Sequence, residues 1–492
     1  MNIHPLIVLA NRAPVRHVKQ TSGALSQARS ASGLVTAVEP VVARASGTWI
    51  AHGDEADLDA TRDTGHISVE TNGGAYRLRY VPVDPSTYDG FYRGFSNEAL
   101  WPLCHLAKVA PRYRTNDFAA YTTVNRRFAA AVAREARGTT PTVLVQDYHF
   151  ALAPRLIRSR VTGSAISLFW HIPWPHARVF RTCPWAQTLL EGVLGSDAIG
   201  VQTDEDRQYL LNAVALLTSA DIDRRTGDIF HGGHLTRVRV RPVGIDWTTA
   251  QEADDLETCR DEVRRDLGTP PDARLVVGID RMDYSKGIPE KFAAFEHLLE
   301  RRPDLRGSLV LAQVAEPSRD SIDAYRQARQ AAAAACRRIN ERFGRPAYQP
   351  ARMLERHYTA DEVRRLYRAA DVCWVNSLGD GMNLVAKEFA AARTDERGVL
   401  LLSEFAGASR QLLDALLVNP FAPERAARML ERALQMPVAE QMRRMRAMRH
   451  VVSRFDCRWW AARLLRDVAR IAVPRADYAT PYLEDGAQPS VA

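Results

Sequence analysis

Short runs of apolar, often β-branched residues alternate along the chain with longer stretches of helical period. In the first half the runs are Leu6–Ala10, Thr142–Val145, Ile166–Trp170 and Ala198–Val201; the theme restarts in the second half at Leu275–Ile279, Leu309–Ala312, Val372–Val375 and Val399–Leu402. A run that is apolar at consecutive positions is a strand buried on both faces, and such strands separated by helices make a parallel sheet. Helical periodicity is plainest over Asn125–Arg137, Ile322–Phe343 and Pro423–Leu434. The chain therefore reads as α/β, two doubly wound Rossmann-like halves facing across a cleft and joined near Gly244–Ala253. The polar segment Asp254–Asp272, ending in Thr269-Pro270-Pro271, leads into the second half's first strand. The expected division is 1–245, 246–455, and 456–492, the last being a helix that returns to the first half and a flexible tail rich in Pro, Gly and Ala.

In open α/β sheets ligands sit beyond the carboxyl ends of the strands, so motifs placed directly after strands are where chemistry is expected. Asn11-Arg12-Ala13-Pro14 follows the first strand, and Ser32-Gly33-Leu34 brings a glycine to a helix start, where backbone N–H groups can approach a phosphate. Phe91 to Pro102 concentrates aromatics and hydrogen-bonding groups, including Tyr92 and Trp101, side chains that meet an apolar ring face and a polar group together. Gln146-Asp147-Tyr148-His149 and His171-Ile172-Pro173-Trp174-Pro175 end two further strands, which converges Asp147 and His171 on one face of the sheet. In the second half Arg281 and Lys286 lie five residues apart in the turn Asp280–Gly287. The arginine can grip two diphosphate oxygens while the lysine supplies a point charge. Gly379–Glu388 places Asp380 and Glu388 at opposite ends of a strand–turn–helix whose amides at Met382, Asn383 and Leu384 can face phosphate oxygens.

Composition narrows the classes. With 492 residues, 46% of them apolar and 25% charged, the chain is an ordinary globular protein of more than one domain. The net charge of +8 is spread thinly. Arg443–Arg449, the densest basic run, reads as one exposed helix face, and no basic stripe interleaved with aromatics points to nucleic acid. Six scattered cysteines without metal-type spacing fit reduced thiols in the cytoplasm. No stretch is long enough to span a membrane.

Taken together, these motifs resemble the trehalose-6-phosphate synthases, retaining glycosyltransferases of family 20 with the GT-B fold, over nearly the whole chain. The resemblance rests on Asn11-Arg12, Gly33-Leu34, Tyr92 through Trp101-Pro102, Asp147-Tyr148-His149, His171 to Pro175, Arg281 to Gly287, Pro317-Ser318-Arg319, Asp380 to Glu388 and Ser403 to Ala408. It implies glucosyl transfer from UDP-glucose or another nucleoside diphosphate glucose to glucose 6-phosphate, forming α,α-trehalose 6-phosphate. Arg12, Tyr92, Trp101 and Arg319 would hold the acceptor phosphate, and Asp147 the acceptor hydroxyls. His171 and Asp380 would grip the donor glucose. Gly33, Arg281 and Lys286 would bind the diphosphate with the amides of Met382, Asn383 and Leu384, and Glu388 the ribose. No metal and no cofactor is implied, the nucleotide sugar being a substrate; a homo-oligomer is left open. Alternatives are a glucosylglycerol-phosphate synthase, a pseudo-glycosyltransferase joining cyclitols, and a catalytically silent sugar-phosphate sensor. The sequence departs from the family pattern at Ser32, Gln146, Gly379 and within Trp49–Gly53.

Overall fold

A computed structural model describes residues 5–20, 24–29, 33–105, 107–251 and 255–469. Ser32, Asp254 and the tail beyond Ala469 lie outside them. The apolar runs are strands in two separate sheets. In the ten-stranded sheet, Leu6–Leu9 sits between Thr48–Gly53 and Thr142–Gln146, all parallel, with register pairs Leu9↔Ile50 and Leu9↔Val145. Ala165–Phe169, Ala198–Val201 and His234–Val240 continue it on one side and Gly74–Pro82 on the other, again in parallel. Short antiparallel strands finish both edges, Ile67–Thr71 at one and Asp228–His231 with Asp221–Asp223 at the other.

The six-stranded sheet is wholly parallel, in the spatial order Ala351–Leu354, Leu309–Glu316, Arg274–Arg281, Val372–Val375, Val399–Ser403, Leu416–Val418. Its strands are buried throughout their apolar lengths, Val276, Val277, Leu311, Trp374 and Leu401 among them, which is why they read as continuous rather than alternating patterns. In both sheets the first strand has its second strand on one side and its fourth parallel strand on the other. The winding therefore reverses beside Leu6–Leu9 in one sheet and beside Arg274–Arg281 in the other. Such reversals open a crevice at the strand C-termini.

The two sheets are joined where two chain segments run side by side. Ile245 accepts the Cys457 N–H at 2.9 Å, and a Cβ on Gly244 would meet the Phe455 carbonyl at 2.3 Å, so only glycine fits there. The helix Cys457–Ala469 packs on the ten-stranded sheet, with Trp460 edge-on to Phe169 at 4.9 Å and a bidentate Arg241–Asp467 pair at 2.7 Å.

Two expectations need correction, and the polar segment that leads into the second sheet gains detail. The helix predicted over 125–137 runs from Thr115 to Glu135; its polar first turn, Thr115-Asn116-Asp117, hides the start. The polar segment before the second sheet carries a helix, Leu256–Asp266, whose buried face is only Cys259 and Val263. Arg443–Arg449 is not a single exposed face. Met445 and Met448 are core residues, while Arg449 turns inward and donates to the Ala390 and Ala391 carbonyls at 3.1 and 2.6 Å, capping the last turn of the helix Leu384–Ala392.

Candidate active site

Beside the reversal in the ten-stranded sheet, Arg12 follows Leu6–Leu9 and Asp147 follows Thr142–Gln146. Asp147 has a left-handed backbone, φ 74°, an uncommon conformation for a residue with a Cβ and one that concentrates at functional sites. Its Oδ1 accepts main-chain N–H bonds from Tyr148 at 3.0 Å and His171 at 3.1 Å. Burial nevertheless pushes its pKa up to about 7, against those bonds and the nearby Arg319 and Arg281. His171 follows the next strand. Its Nε2 lies 2.9 Å from Gln146 Oε1, and burial lowers the imidazole to about 3, so it is neutral.

The aromatic segment forms an unusual element. Gly90–Leu100 is a π-helix that runs directly into the helical turn Trp101–Cys104, and the wide turn presents Tyr92 and Trp101 to a group from the other sheet. Arg319, at φ 51° in the loop after Leu309–Glu316, places its guanidinium 4.7 Å from the Trp101 ring centre and 5.7 Å from that of Tyr92. It also donates to the Tyr325 hydroxyl at 2.5 Å and lies 3.6 Å from Asp283. Arg281 stands 6.0 Å from the same Trp101 ring. Burial would raise the Tyr92 phenol's pKa, but Arg319, Arg281 and Arg12 together bring it below its usual value. Arg12 is in turn lowered by burial and by repulsion from Arg281 and Arg319. Three guanidinium groups from the two halves thus share one small space, an arrangement suited to oxygen-rich anions.

Around the reversal in the six-stranded sheet, Arg281 ends its strand and Asp283 caps the turn Tyr284–Lys286, accepting from the Ser285 N–H and hydroxyl at 3.0 Å. Lys286 Nζ reaches Asp380 Oδ2 at 2.5 Å. Burial favours the neutral acid at Asp380, yet Lys286 holds its pKa below the ordinary value. Asn383, at φ 70°, caps the helix Leu384–Ala392 by accepting the Ala386 N–H, and donates to Asp380 at 3.1 Å. Glu388 stands half-buried one turn in, raised in pKa by desolvation and fixed by a 3.0 Å bond from the Tyr367 hydroxyl. The N-terminus of the helix Gly33–Arg44 faces the N-terminus of Leu384–Ala392: a Cβ on Gly33 would sit 2.5 Å from Leu384 Cδ1. Met382 is buried in the core, with its carbonyl accepting the Ala408 N–H. The halves meet closely, since a Cβ on Gly381 would lie 2.0 Å from the His171 carbonyl.

Arg12, Tyr92, Trp101, Arg281 and Arg319 thus form one cluster. Lys286, Asp380 and Asn383 form a second, and Asp147 and His171 are tied to each other through the main chain. Glu388 stands deeper along its helix. Sequence reasoning left four supporting residues without a role. Asp283 sat inside a quoted motif, Gln146 was noted only as a departure, and Tyr325 and Tyr367 are lone aromatics on helices with no local signal. Among the described residues no group of three or more His, Cys, Asp or Glu is arranged to hold a metal ion, and no helix is long and apolar enough to cross a membrane.

Two Rossmann-like sheets facing across a cleft at both reversal points have the GT-B architecture, found in glycosyltransferases. The particular family follows from comparison. The chain belongs to glycosyltransferase family 20, whose profile matches residues 4–470. It is 37% identical over 475 residues to the trehalose-6-phosphate synthase of Mycobacterium avium, covering 94% of this chain and 95% of that one. It is 36% identical over 479 residues to the synthase of Mycobacterium leprae, covering 94% of each. Among solved structures, an E. coli trehalose-6-phosphate structure bound with UDP-2-fluoro glucose aligns with TM-score 0.84 at 30% identity, over 96% of this chain and all of that one. A UDP-forming α,α-trehalose-phosphate synthase from Burkholderia xenovorans in complex with glucose-6-phosphate aligns with TM-score 0.82 at 30% identity, over 94% and 100%.

Proposed function

We propose that this chain transfers glucose from UDP-glucose to glucose 6-phosphate with retention of configuration, forming α,α-trehalose 6-phosphate and UDP. The observation that carries this reading is the convergence of Arg12, Arg281 and Arg319 on Tyr92 and Trp101. Asp283 beside Arg319 offsets only part of this positive charge, and the reaction brings two anions to meet the rest, an acceptor phosphate and a donor diphosphate.

Arg12, Tyr92, Trp101 and Arg319 take the acceptor phosphate, and Asp147 accepts from acceptor hydroxyls. His171 and Asp380 hold the donor glucose, while Glu388 takes the ribose. Gly33, Arg281, Lys286 and the amides of Met382, Asn383 and Leu384 face the diphosphate. On this reading residues 1–245 carry mainly the acceptor, 246–455 the nucleotide sugar, and the C-terminal segment braces the first half. The anomeric hydroxyl of the acceptor attacks C1 of the donor from the face that UDP leaves. The C1–O bond to UDP breaks as the new C1–O bond forms, and the departing phosphate oxygen takes the hydroxyl proton. Lys286 and Arg281 stabilise the charge that develops on the leaving group, so no metal and no cofactor is needed. Closure at Gly381 excludes water from the donor carbon. The six buried free cysteines support a cytoplasmic setting.

The test is purified protein with UDP-, ADP- and GDP-glucose, each against glucose 6-phosphate and glycerol 3-phosphate, with products weighed by mass spectrometry. UDP release with a hexosyl-hexose phosphate product is expected. Absence of nucleotide release from every pair overturns the enzymatic reading, and product only with glycerol 3-phosphate overturns the acceptor.

A further inference from the structure

The main chain of His171 is clamped on both sides. Its N–H donates to Asp147 Oδ1 at 3.1 Å, and its carbonyl accepts from Gln202 Nε2 at 3.3 Å. The ring is hemmed in by Phe169, edge-on at 4.5 Å, and Trp460 at 6.1 Å; the second half meets the residue through the main chain of Gly381. Asp147 and His149 are its titratable neighbours, and burial with the nearby arginines keeps His149 uncharged. Among the described residues the polar group bonded to the imidazole is Gln146, 1% exposed, whose Oε1 lies 2.9 Å from Nε2. Among the described residues Gln146 makes no other side-chain bond: its own amide nitrogen is buried without a partner there. A buried carboxamide spending its single contact on a cleft histidine is uneconomical for folding alone, because an apolar side chain would avoid the unmet donor.

We propose that Gln146 is a positioning residue that sets the tautomer of His171. By accepting from Nε2–H it leaves Nδ1 as a lone-pair acceptor, and this is the atom that receives a hydroxyl hydrogen of the donor sugar. A neutral imidazole carries one N–H, so whichever partner holds it decides what the other nitrogen can do. A carboxamide holds the proton without drawing a second one onto the ring, whereas a carboxylate in its place would stabilise the imidazolium.

This inference rests on assigning His171 to the donor glucose, and the tests separate the two. With His171→Ala, the donor KM rises if that assignment is right; an unchanged KM defeats the assignment itself. Gln146→Met keeps the volume but removes the acceptor oxygen. It is expected to raise the donor KM about tenfold, the loss of one hydrogen bond, with the acceptor KM unmoved. Gln146→Glu restores the oxygen and is expected to recover the donor KM at high pH while adding an acidic limb to kcat/KM for donor beyond any that Asp147, bonded to the His171 N–H, imposes on the parent. In 15N-histidine-labelled full-length protein, the signals lost in His171→Ala identify its ring. They are expected to report the Nε2–H tautomer in the parent and a mixture in Gln146→Met. An Nδ1–H tautomer in the parent overturns the proposal. So does a donor KM raised by His171→Ala but untouched by Gln146→Met, or a Gln146→Glu profile parallel to that of the parent.

Discussion

Replacing Arg319 by alanine separates binding from folding at one residue. Its side chain is 8% exposed, with the guanidinium bonded to the Tyr325 hydroxyl and 3.6 Å from Asp283, whose side chain is fully buried. Two losses are expected. A charge-assisted bond to a phosphate is worth about 1.5–3 kcal/mol, so the KM for glucose 6-phosphate should rise about 10- to 150-fold. Separately, Asp283 is left buried without the largest of the cations that hold its pKa below the ordinary value. Breaking a buried pair costs about 3–5 kcal/mol. The lower end applies here, because Asp283 keeps its bonds from Ser285 and the influence of Arg281 and Lys286. Steady-state kinetics with varied acceptor, and urea unfolding of the same preparation, read the two terms. In the double variant Arg319→Ala/Asp283→Asn most of the lost stability should return while the acceptor KM stays high. If the acceptor KM is normal in the single variant, or recovers with stability in the double, the phosphate assignment of Arg319 is wrong.

Three other outcomes follow from the same geometry. Arg281→Ala and Lys286→Ala are expected to lower kcat about 10²- to 10³-fold, since they act on charge developing at the leaving group; a rise confined to the donor KM would contradict this. Burial raises Asp147 to about 7, so its carboxylate is lost as pH falls through that value. The acceptor kcat/KM should decline on the acid side of neutrality, and Asp147→Asn should be slower with that limb gone; a limb that persists in Asp147→Asn assigns it elsewhere. Lys387 is buried, bonded to the Val243 carbonyl between the two halves, and lowered from 10.5 to about 7 by burial. Between those values the unfolded chain binds a proton that the folded chain does not, so stability should rise with pH across that window, by up to about 1.4 kcal/mol per unit. Urea unfolding of Lys387→Met, expected to lack that slope, checks it; equal slopes in both proteins would refute it.

The parts of the fold legible in the sequence are those whose burial is complete. Leu275–Ile279 and Val372–Val375 are strands covered on both faces, and the helix Pro423–Leu434 has the expected bounds. The π-helix Gly90–Leu100 was not legible, because its wide turn has no apolar period to betray it. Polar residues that end strands were legible as candidates, since strand ends are where a parallel sheet exposes its sites. Their supporting partners were not. Tyr325 reaches Arg319 because a left-handed Arg319 turns the chain into the helix that carries Tyr325, a backbone conformation with no residue signal; Gln146 reaches His171 because their strands pair, Gln146 opposite Phe169. The second contact is made by tertiary register, which no local spacing records. Arg449 shows the converse: a residue in a basic run that the fold turns inward to cap a helix ending behind the cleft.

The account stands most directly on the stereochemistry of the product. Purified protein with UDP-glucose and glucose 6-phosphate, followed by 1H NMR, is expected to yield a non-reducing disaccharide phosphate with both anomeric protons in the α configuration, one equivalent of UDP and no free glucose. A β linkage at the former donor carbon, a product that keeps a reducing end, or glucose released by hydrolysis in its place would contradict a closed cleft that binds the two anions side by side and retains configuration.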